Sequence, residues 1–567
     1  MMGPKRRRLA PSSPRIKRKD VSDCEDSGDQ AYTSSYKETS LKRKSQKQNK
    51  RRHKSKPDDD TLNPRTKSGL TRDNILHSKS AHLIQSPGVV RAALLRWYAG
   101  VHGSRGMPWR KSYDPSLGLE DRAQRAYEVW VSEIMLQQTQ VATVIPYYTR
   151  WMENFPTIRD LAATNIDQVN ALWKGLGYYS RASRLLAGAQ KAVAQYGGRL
   201  PDNAKDMEAN IPGIGRYSAG AISSIAYGER VPVVDGNVHR LLSRFLALHA
   251  PPKAKATLDI LWDAAAAMVE LEKSPVDCST ANSSETTPIE RTQYAGDINQ
   301  ALIELGSTIC KVRDPGCHLC PLRPWCRAYA EASPGLSKRT DAIPDIEDGC
   351  SLCEPLDGLF DVTAYPMKID RKKPREEMDI VNVIEWSSST RPDDRWFLMV
   401  RRPEGGLLAG LYEFPTSTNV SKATSCAAQT KFPHTLLSGL LAPTVLPYNK
   451  GQQTISTSLE CLQIKSITAV GDVVHVFSHI KKTYRPQWVV LAGGETPPAL
   501  KCGNDEPSGI PKLNLIDGGD DGSSTSLRPR GAMWVQLKEV ANTNMGTGVV
   551  KVWNLTKELW ERDVGGT

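Results

Sequence analysis

"CKVRDPGCHLCPLRPWC", residues 310–326, sets Cys310, Cys317, Cys320 and Cys326 at the spacing C-x6-C-x2-C-x5-C. These are four of the 11 cysteines in the chain. In a reducing compartment such a cluster binds metal instead of closing disulfides. Structural zinc sites usually draw on two CxxC or Cys/His pairs with a longer gap between them. One compact run of four thiolates suits a [4Fe–4S] cube, with structural zinc as the alternative. The reducing setting is an expectation from the rest of the chain. No apolar core follows the N-terminal basic residues, as a secretory signal requires, and no stretch approaches the roughly 18 consecutive apolar residues of a membrane span.

The chain has 567 residues, room for two or three domains. Its net charge of +13 is unevenly spread: residues 1–60 carry 18 Lys or Arg against 9 Asp or Glu. Residues 1–80 hold too few large apolar side chains to build a core and are expected to be a disordered basic tail. Its clusters "PKRRR" (4–8) and "RIKRK" (15–19) look like a bipartite nuclear-localisation signal. The nucleus is therefore the expected location, and the tail is also compatible with a mitochondrial address. From 81 to 332 the apolar period is helical, interrupted by a Ser/Thr-rich insert at 273–292. Residues 333–372 read as a linker. From 373 to 567 the signals change to strands, "DIVNVIEW", "RWFLMV", "VVHVFSHI" and "QWVVLAGG", with a second polar insert at 501–526. The expected fold is a mainly α domain carrying the cysteine loop, followed by a smaller α+β domain.

Upstream of the cysteines, "IPGIGRYSAGAIS" (211–223) places Pro212, Gly213 and Gly215 in a tight turn that opens onto a helix. The amides of such a turn can hold phosphate, and the segment looks like the hairpin of a helix-hairpin-helix motif, which grips duplex backbone without reading bases. "VVDGNVHR" (233–240) follows, with Asp235 placed to cap the next helix. "YEVWVSEIMLQQTQVATVIPYY" (127–148) is helical, with Trp130, Ile134, Val141 and Ile145 along one apolar stripe. Glu133 has Trp130, Val129 and Leu136 for helical neighbours, so burial favours its protonated form. A neutral carboxyl can donate a proton to a leaving group; a surface glutamate at the edge of the stripe is the alternative.

The cysteine spacing resembles the cluster of endonuclease III-like DNA glycosylases. "SEIMLQQTQVATVIPYY", "LWKGLGYYSRA" (172–182) and "PWR" (108–110) narrow the resemblance to MutY-type adenine DNA glycosylases. It implies that Glu133 is the general acid that protonates adenine, and that Asp235 stabilises the oxocarbenium-like sugar cation. Tyr217 and Asn237 would support them. Endonuclease III-type enzymes carry a lysine where this chain has Tyr217. A phenol cannot form an imine, so a monofunctional glycosylase is expected. By the same resemblance Arg105, Met107, Trp109, Arg110 and Leu136 line the adenine pocket, and Gln138 and Tyr178 wedge into the base stack. Lys311, Arg313 and Arg323 would lie near phosphates, and the cluster would be mainly structural.

"MVRRPEGGLLAGLYEFP" (399–415) resembles the start of a Nudix or MutT-like fold, but no glutamate-rich magnesium helix follows it. In MutY-type enzymes this domain recognises 8-oxoguanine opposite the adenine. "HVFSHIKKTYR" (475–485) matches the family segment, with Ser478 on the oxidised base, Phe477 and His479 beside it, and Gly410 in a loop that approaches DNA. Animal members bind zinc at a related linker. His82, Cys350 and Cys353 match ligands there, while Ile343 stands where the third cysteine would be. The implied enzyme acts as a monomer on duplex DNA containing A opposite 8-oxoguanine or G. The alternatives are an endonuclease III-type pyrimidine glycosylase and lyase, or a damage-binding protein without turnover.

Overall fold

The computed structural model describes residues 77–271, 294–333, 349–356, 361–369, 373–388, 390–391, 393–403, 408–448, 462–477, 479–501 and 531–564. The basic tail up to residue 76, the insert at 273–292, nearly all of that at 501–526, and Ser478 lie outside the described residues.

Twelve helices, among the described residues, form the N-terminal domain: α1 (Pro87–Val101), α2 (Leu119–Leu136), α3 (Val141–Asn154), α4 (Ile158–Ala163), α5 (Ile166–Trp173), α6 (Ser180–Tyr196), α7 (Ala204–Asn210), α8 (Arg216–Ile222), α9 (Gly236–Phe245), α10 (Lys255–Val269), α11 (Ala295–Thr308) and α12 (Arg327–Ala332). Their apolar faces make two cores. One gathers α2 to α8 around Trp130, Trp151 and Trp173. The other gathers α1, α9, α10 and α11 around Leu94, Leu242 and Leu302, and reaches the cysteine loop through Cys310 and Leu322. Local chemistry starts the helices where the cores need them. Thr157 and Asp160 close a capping box on α4, Asn165 caps α5, and Asp235 caps α9.

Helix α11 closes the seam between the two cores. A Cβ on Gly306 would stand 2.7 Å from the Asn237 carbonyl oxygen and 2.9 Å from its Cβ, so only glycine lets α11 lie against the start of α9. Residues read as linker are partly docked on this domain. Val362 and Tyr365 pack with Ala247 and Ala328, and the buried Arg244 donates to the Tyr365 carbonyl at 2.9 Å.

The C-terminal domain is one mixed sheet in the order β3-β2-β1-β8-β6-β5. Its strands are β1 (Arg375–Ser387), β2 (Arg395–Arg401), β3 (Tyr412–Glu413), β4 (Thr416–Ser417), β5 (Val445–Leu446), β6 (Leu462–Ala469), β7 (Val473–Val476), β8 (Ile480–Ala492) and β9 (Ala532–Gln536). β4, β7 and β9 pair with β1, β8 and β2. Central strands β1 and β8 run parallel from Arg375↔Ile480 to Trp386↔Leu491. Both faces are covered, which explains the near-continuous apolar runs. Val381 and Val383 of β1 face α16 (Thr547–Val564) through Val552 and Trp553, while Ile384 and Trp386 face α14 (Phe432–Leu440) through Leu437. Helices α13 (Cys426–Gln429) and α15 (Leu537–Val540) complete the set. This is the expected α+β arrangement, and α14, "FPHTLLSGL", carries no carboxylate.

"VVHVFSHI" is not one strand. β7 ends at Val476 and β8 begins at Ile480, with Phe477 N donating to the Ile480 carbonyl at 2.7 Å. The chain reverses between Val476 and Ile480, and β8 then runs unbroken into "QWVVLA". The alternation of apolar residues masked the reversal.

Gly306→Ala forces a methyl into the α9 backbone and is expected to cost about 1–3 kcal/mol in denaturant unfolding, which a neutral result would contradict.

Candidate active site

Glu133 lies one turn from the end of α2, and Asp235 caps α9 across the seam. The two carboxylates therefore come from the two different cores. Protein surrounds the Glu133 carboxyl, although the residue as a whole is only partly covered. Tyr217, one residue into α8, donates its hydroxyl to Glu133 Oε2 at 2.7 Å. Burial pushes the Glu133 carboxyl up to about 7; the Tyr217 hydrogen bond pulls against it, the Asp235 charge adds to the rise, and Arg110 opposes it.

Asp235 is held from both sides. Oδ1 accepts from Val238 N at 2.7 Å and Oδ2 from Asn237 Nδ2 at 2.9 Å. Arg240 donates from Nη2 to Asn237 Oδ1 at 2.9 Å and to the Gly306 carbonyl at 2.7 Å, and from Nε to the Cys310 carbonyl at 2.9 Å. A continuous chain of hydrogen bonds thus links the Asp235 carboxylate to the first residue of the cysteine loop. The arrangement offers a carboxyl that burial pushes up to about 7 near an oriented carboxylate, the pairing that suits glycosidic bond cleavage.

The other expected residues are distributed around this pair. Arg110 and Arg105 share the buried Glu304: Arg110 Nη1 lies 2.8 Å from Oε2, and Arg105 Nη1 3.3 and 3.2 Å from the two oxygens. Met107 and Trp109 are core residues, Trp109 packing edge-on to Tyr148 at 5.1 Å. Leu136 packs against the same core, partly covered. Gln138 and Tyr178 are exposed and both lie in the left-handed region, at φ 55° and 47°. Backbone strain of this kind at two exposed non-glycine residues marks a candidate working surface. Arg181, nine-tenths buried, supports both: Nη1 donates to the carbonyls of Ile134 and Gln137 at 2.7 and 2.6 Å, and Nη2 to those of Leu176 and Gly177 at 3.3 Å.

In the hairpin, Gly213 needs its φ of +84°, and Pro212, Gly213 and Gly215 are exposed. Gly215 has an ordinary φ of −104° but open space on its Cβ side, so it leaves room for an approaching backbone. Lys311, Arg313 and Arg323 are exposed, and Cys310, Cys317, Cys320 and Cys326 line one cavity together with Leu241, Phe245 and Leu322. Phe477 and His479 flank the β7–β8 turn, Phe477 resting edge-on against His475 at 4.5 Å. Gly410 belongs to a turn whose neighbours Leu408 and Leu411 pack on the helical domain, so the described end of that loop is a domain contact. His82, Cys350 and Cys353 come together, and His77 joins them.

Glu304, Arg181, Arg240 and His77 were missed in the sequence. The available signal was two pocket arginines without a local acid, and a buried arginine that no carboxylate in its own segment could satisfy.

Residues 131–266 match the model of the HhH-GPD superfamily base excision DNA repair proteins. Adenine DNA glycosylase of Rattus norvegicus is 37% identical over 485 residues, covering 82% of this chain and 78% of the relative. The chain belongs to the adenine DNA glycosylase family. The Homo sapiens member is 38% identical over 434 residues, 74% of this chain and 70% of the relative, and that of Arabidopsis thaliana 36% over 434 residues, 73% and 59%. A match of 485 residues reaches into the sheet domain, so both domains of this glycosylase fall under the likeness.

Glu133 is neutral in the fold and ionised when unfolded between about pH 4.5 and 7. Unfolding therefore releases a proton in that window, and stability falls as pH rises through it, then levels off. Glu133→Gln removes this penalty. It should stabilise the enzyme at pH 8 by on the order of 2–3 kcal/mol and have little effect at pH 4.5. Urea unfolding at both pH values measures the difference, and equal effects would contradict a raised Glu133.

Proposed function

We propose that this base-excision repair glycosylase removes adenine opposite 8-oxoguanine in duplex DNA and stops at the abasic site. The observation that carries the reading is the Tyr217 hydroxyl bonded to a half-buried Glu133, whose carboxyl burial and the nearby Asp235 charge push up to about 7. Adenine leaves poorly as an anion. Glu133 gives its proton to a ring nitrogen of the extruded base, and the electrons of the N9–C1′ bond pass to a leaving group that is now neutral. Asp235 faces the sugar cation that remains. Water adds its oxygen to C1′ and loses a proton, which restores Glu133.

Tyr217 supports the monofunctional reading. Its phenol is committed to Glu133 and offers no amine for an imine at C1′. Gln138 and Tyr178, held outward by Arg181, fit the wedge that offsets unstacking. The β7–β8 turn, flanked by half-buried Phe477 and exposed His479, supports a role as reader of the oxidised base opposite. Cys310, Cys317, Cys320 and Cys326 are proposed to hold a [4Fe–4S] cluster. They surround a cavity instead of meeting at a point, with Arg244 Nη1 3.4 Å from the Cys310 sulfur, which suits a polynuclear group. When bound, the cluster would tie the loop together, and Arg240 would pass that order to Asn237 and Asp235. The linker thiols and His82 are proposed to hold a second, structural metal. The two N-terminal basic clusters are proposed to direct the protein to the nucleus.

A labelled duplex with one A opposite 8-oxoguanine separates the readings. Wild type should yield strand cleavage only after alkali, and Glu133→Gln should lose at least about a hundredfold in rate. Cleavage without alkali would contradict the role given to Tyr217. Excision by Glu133→Gln at the wild-type rate would remove Glu133 from the chemistry.

A further inference from the structure

The donor atoms of His77, His82, Cys350 and Cys353 all lie within 4.8 Å of one another. His77 and His82 face each other through their Nε2 atoms, 3.0 Å apart. The Cys350 and Cys353 sulfurs each lie 3.4 Å from His82 Nε2. Tetrahedral zinc, with Zn–N of about 2.0 Å and Zn–S of about 2.3 Å, would set N···N edges of about 3.3 Å and N···S edges of about 3.5 Å. The observed separations sit just inside those of such a tetrahedron. A hydrogen bond between two imidazoles explains the rings, but not two sulfurs converging on the same nitrogen.

The surroundings orient the donors. His82 is buried, and its Nδ1 lies 3.1 Å from the Leu246 carbonyl, which assigns the ring proton to Nδ1 and turns the Nε2 lone pair toward the other three groups. The short 3-10 helix Lys79–His82, capped by Ser78, brings His82 back to His77, which stands just ahead of the cap. Ser78 bridges Gly349, and Cys350 N donates to the His77 carbonyl at 2.8 Å. Two thiolates and two imidazoles favour zinc over oxygen-seeking cations.

We propose that His77 is the fourth ligand of a Cys2His2 zinc site, taking the role of the cysteine whose place in the sequence Ile343 occupies. The inference deepens the linker-metal reading above and rests on it. The site joins the entry to the helical domain to the middle of the linker. Ile84, Leu352 and Cys353 pack on the core of α1, α9, α10 and α11, and Glu354 N donates to the His249 carbonyl at 2.7 Å. The ion therefore clasps both segments to the cluster side of the catalytic domain and fixes where the chain departs toward the Nudix-like domain.

The test is elemental analysis of the full-length protein, with zinc competition against a chromophoric chelator. Wild type should carry one zinc per chain beside its iron. His77→Ala should bind zinc at least about tenfold more weakly while keeping its iron and visible absorbance. Its Cys350 and Cys353 thiols should become open to alkylation, as those of wild type do only after chelation. His77→Cys, which restores a ligand, should retain zinc. Iron-replete, adenine-excising wild type without zinc would overturn the proposal and leave the catalytic reading standing. So would a His77→Ala protein that competes for zinc as wild type does. If His77→Ala lost iron as well, His77→Cys decides: retained zinc supports the ligand role and lost zinc overturns it.

Discussion

The proposed chemistry depends on one carboxyl that the fold shields from water. Glu133 is useful as an acid because the protein keeps water away from it, and the enzyme accepts an energetic penalty to do so. The opposing influences are ordered by chemistry. Burial dominates, the Tyr217 hydroxyl stops the rise from going further, and the carboxylate of Asp235 across the seam sustains it. Glu133 and Tyr217 stand on helices of one core and Asp235 caps a helix of the other, so the pair exists only while both cores are locked. Gly306 and Arg240 supply that lock, one by letting α11 approach and the other by tying Asn237 to α11 and to Cys310.

The helical domain also carries the contact with its neighbour. Lys174 donates to the carbonyls of Ala541 and Thr543 at 2.7 and 3.3 Å, and Asn544 donates to the Asp167 carbonyl at 3.0 Å. Arg401 lies 3.6 Å from Asp167. These residues adjoin α5 and the segment that leads to Tyr178. The sheet domain thus rests on the base of the loop that carries one strained, outward side chain, and Arg181 joins that loop to the one that carries Gln138. On the proposed reading, recognition of one base and extrusion of its partner would share a common support.

Local signals were legible in the sequence, and spatial ones were not. Glu133, Asp235 and Tyr217 stand in short motifs whose helical spacing and capping chemistry can be read residue by residue. The two-faced burial of β1 showed as a run of apolar residues. Glu304 could not be found this way, because its arginine partners lie almost two hundred residues away and a glutamate on a helix usually faces solvent. Arg181 bonds only to carbonyls, which leave no trace in side-chain identity. His77 looked like part of the tail, since its partners Cys350 and Cys353 lie across the whole catalytic domain. The hairpin at Phe477 was hidden for another reason: apolar alternation continues through the turn, so the period carries no mark of the reversal.

The central claim is that a Glu133 proton is available near neutral pH because the fold holds it there. Single-turnover excision of adenine opposite 8-oxoguanine, followed from pH 5.5 to 9 with saturating enzyme, measures it most directly. The account predicts that the rate falls as pH rises through about 7, tenfold per pH unit on the alkaline side. Tyr217→Phe removes the hydrogen bond that favours the ionised form, and should move that limb to higher pH. A rate that stays level to pH 9 in both proteins would contradict the account.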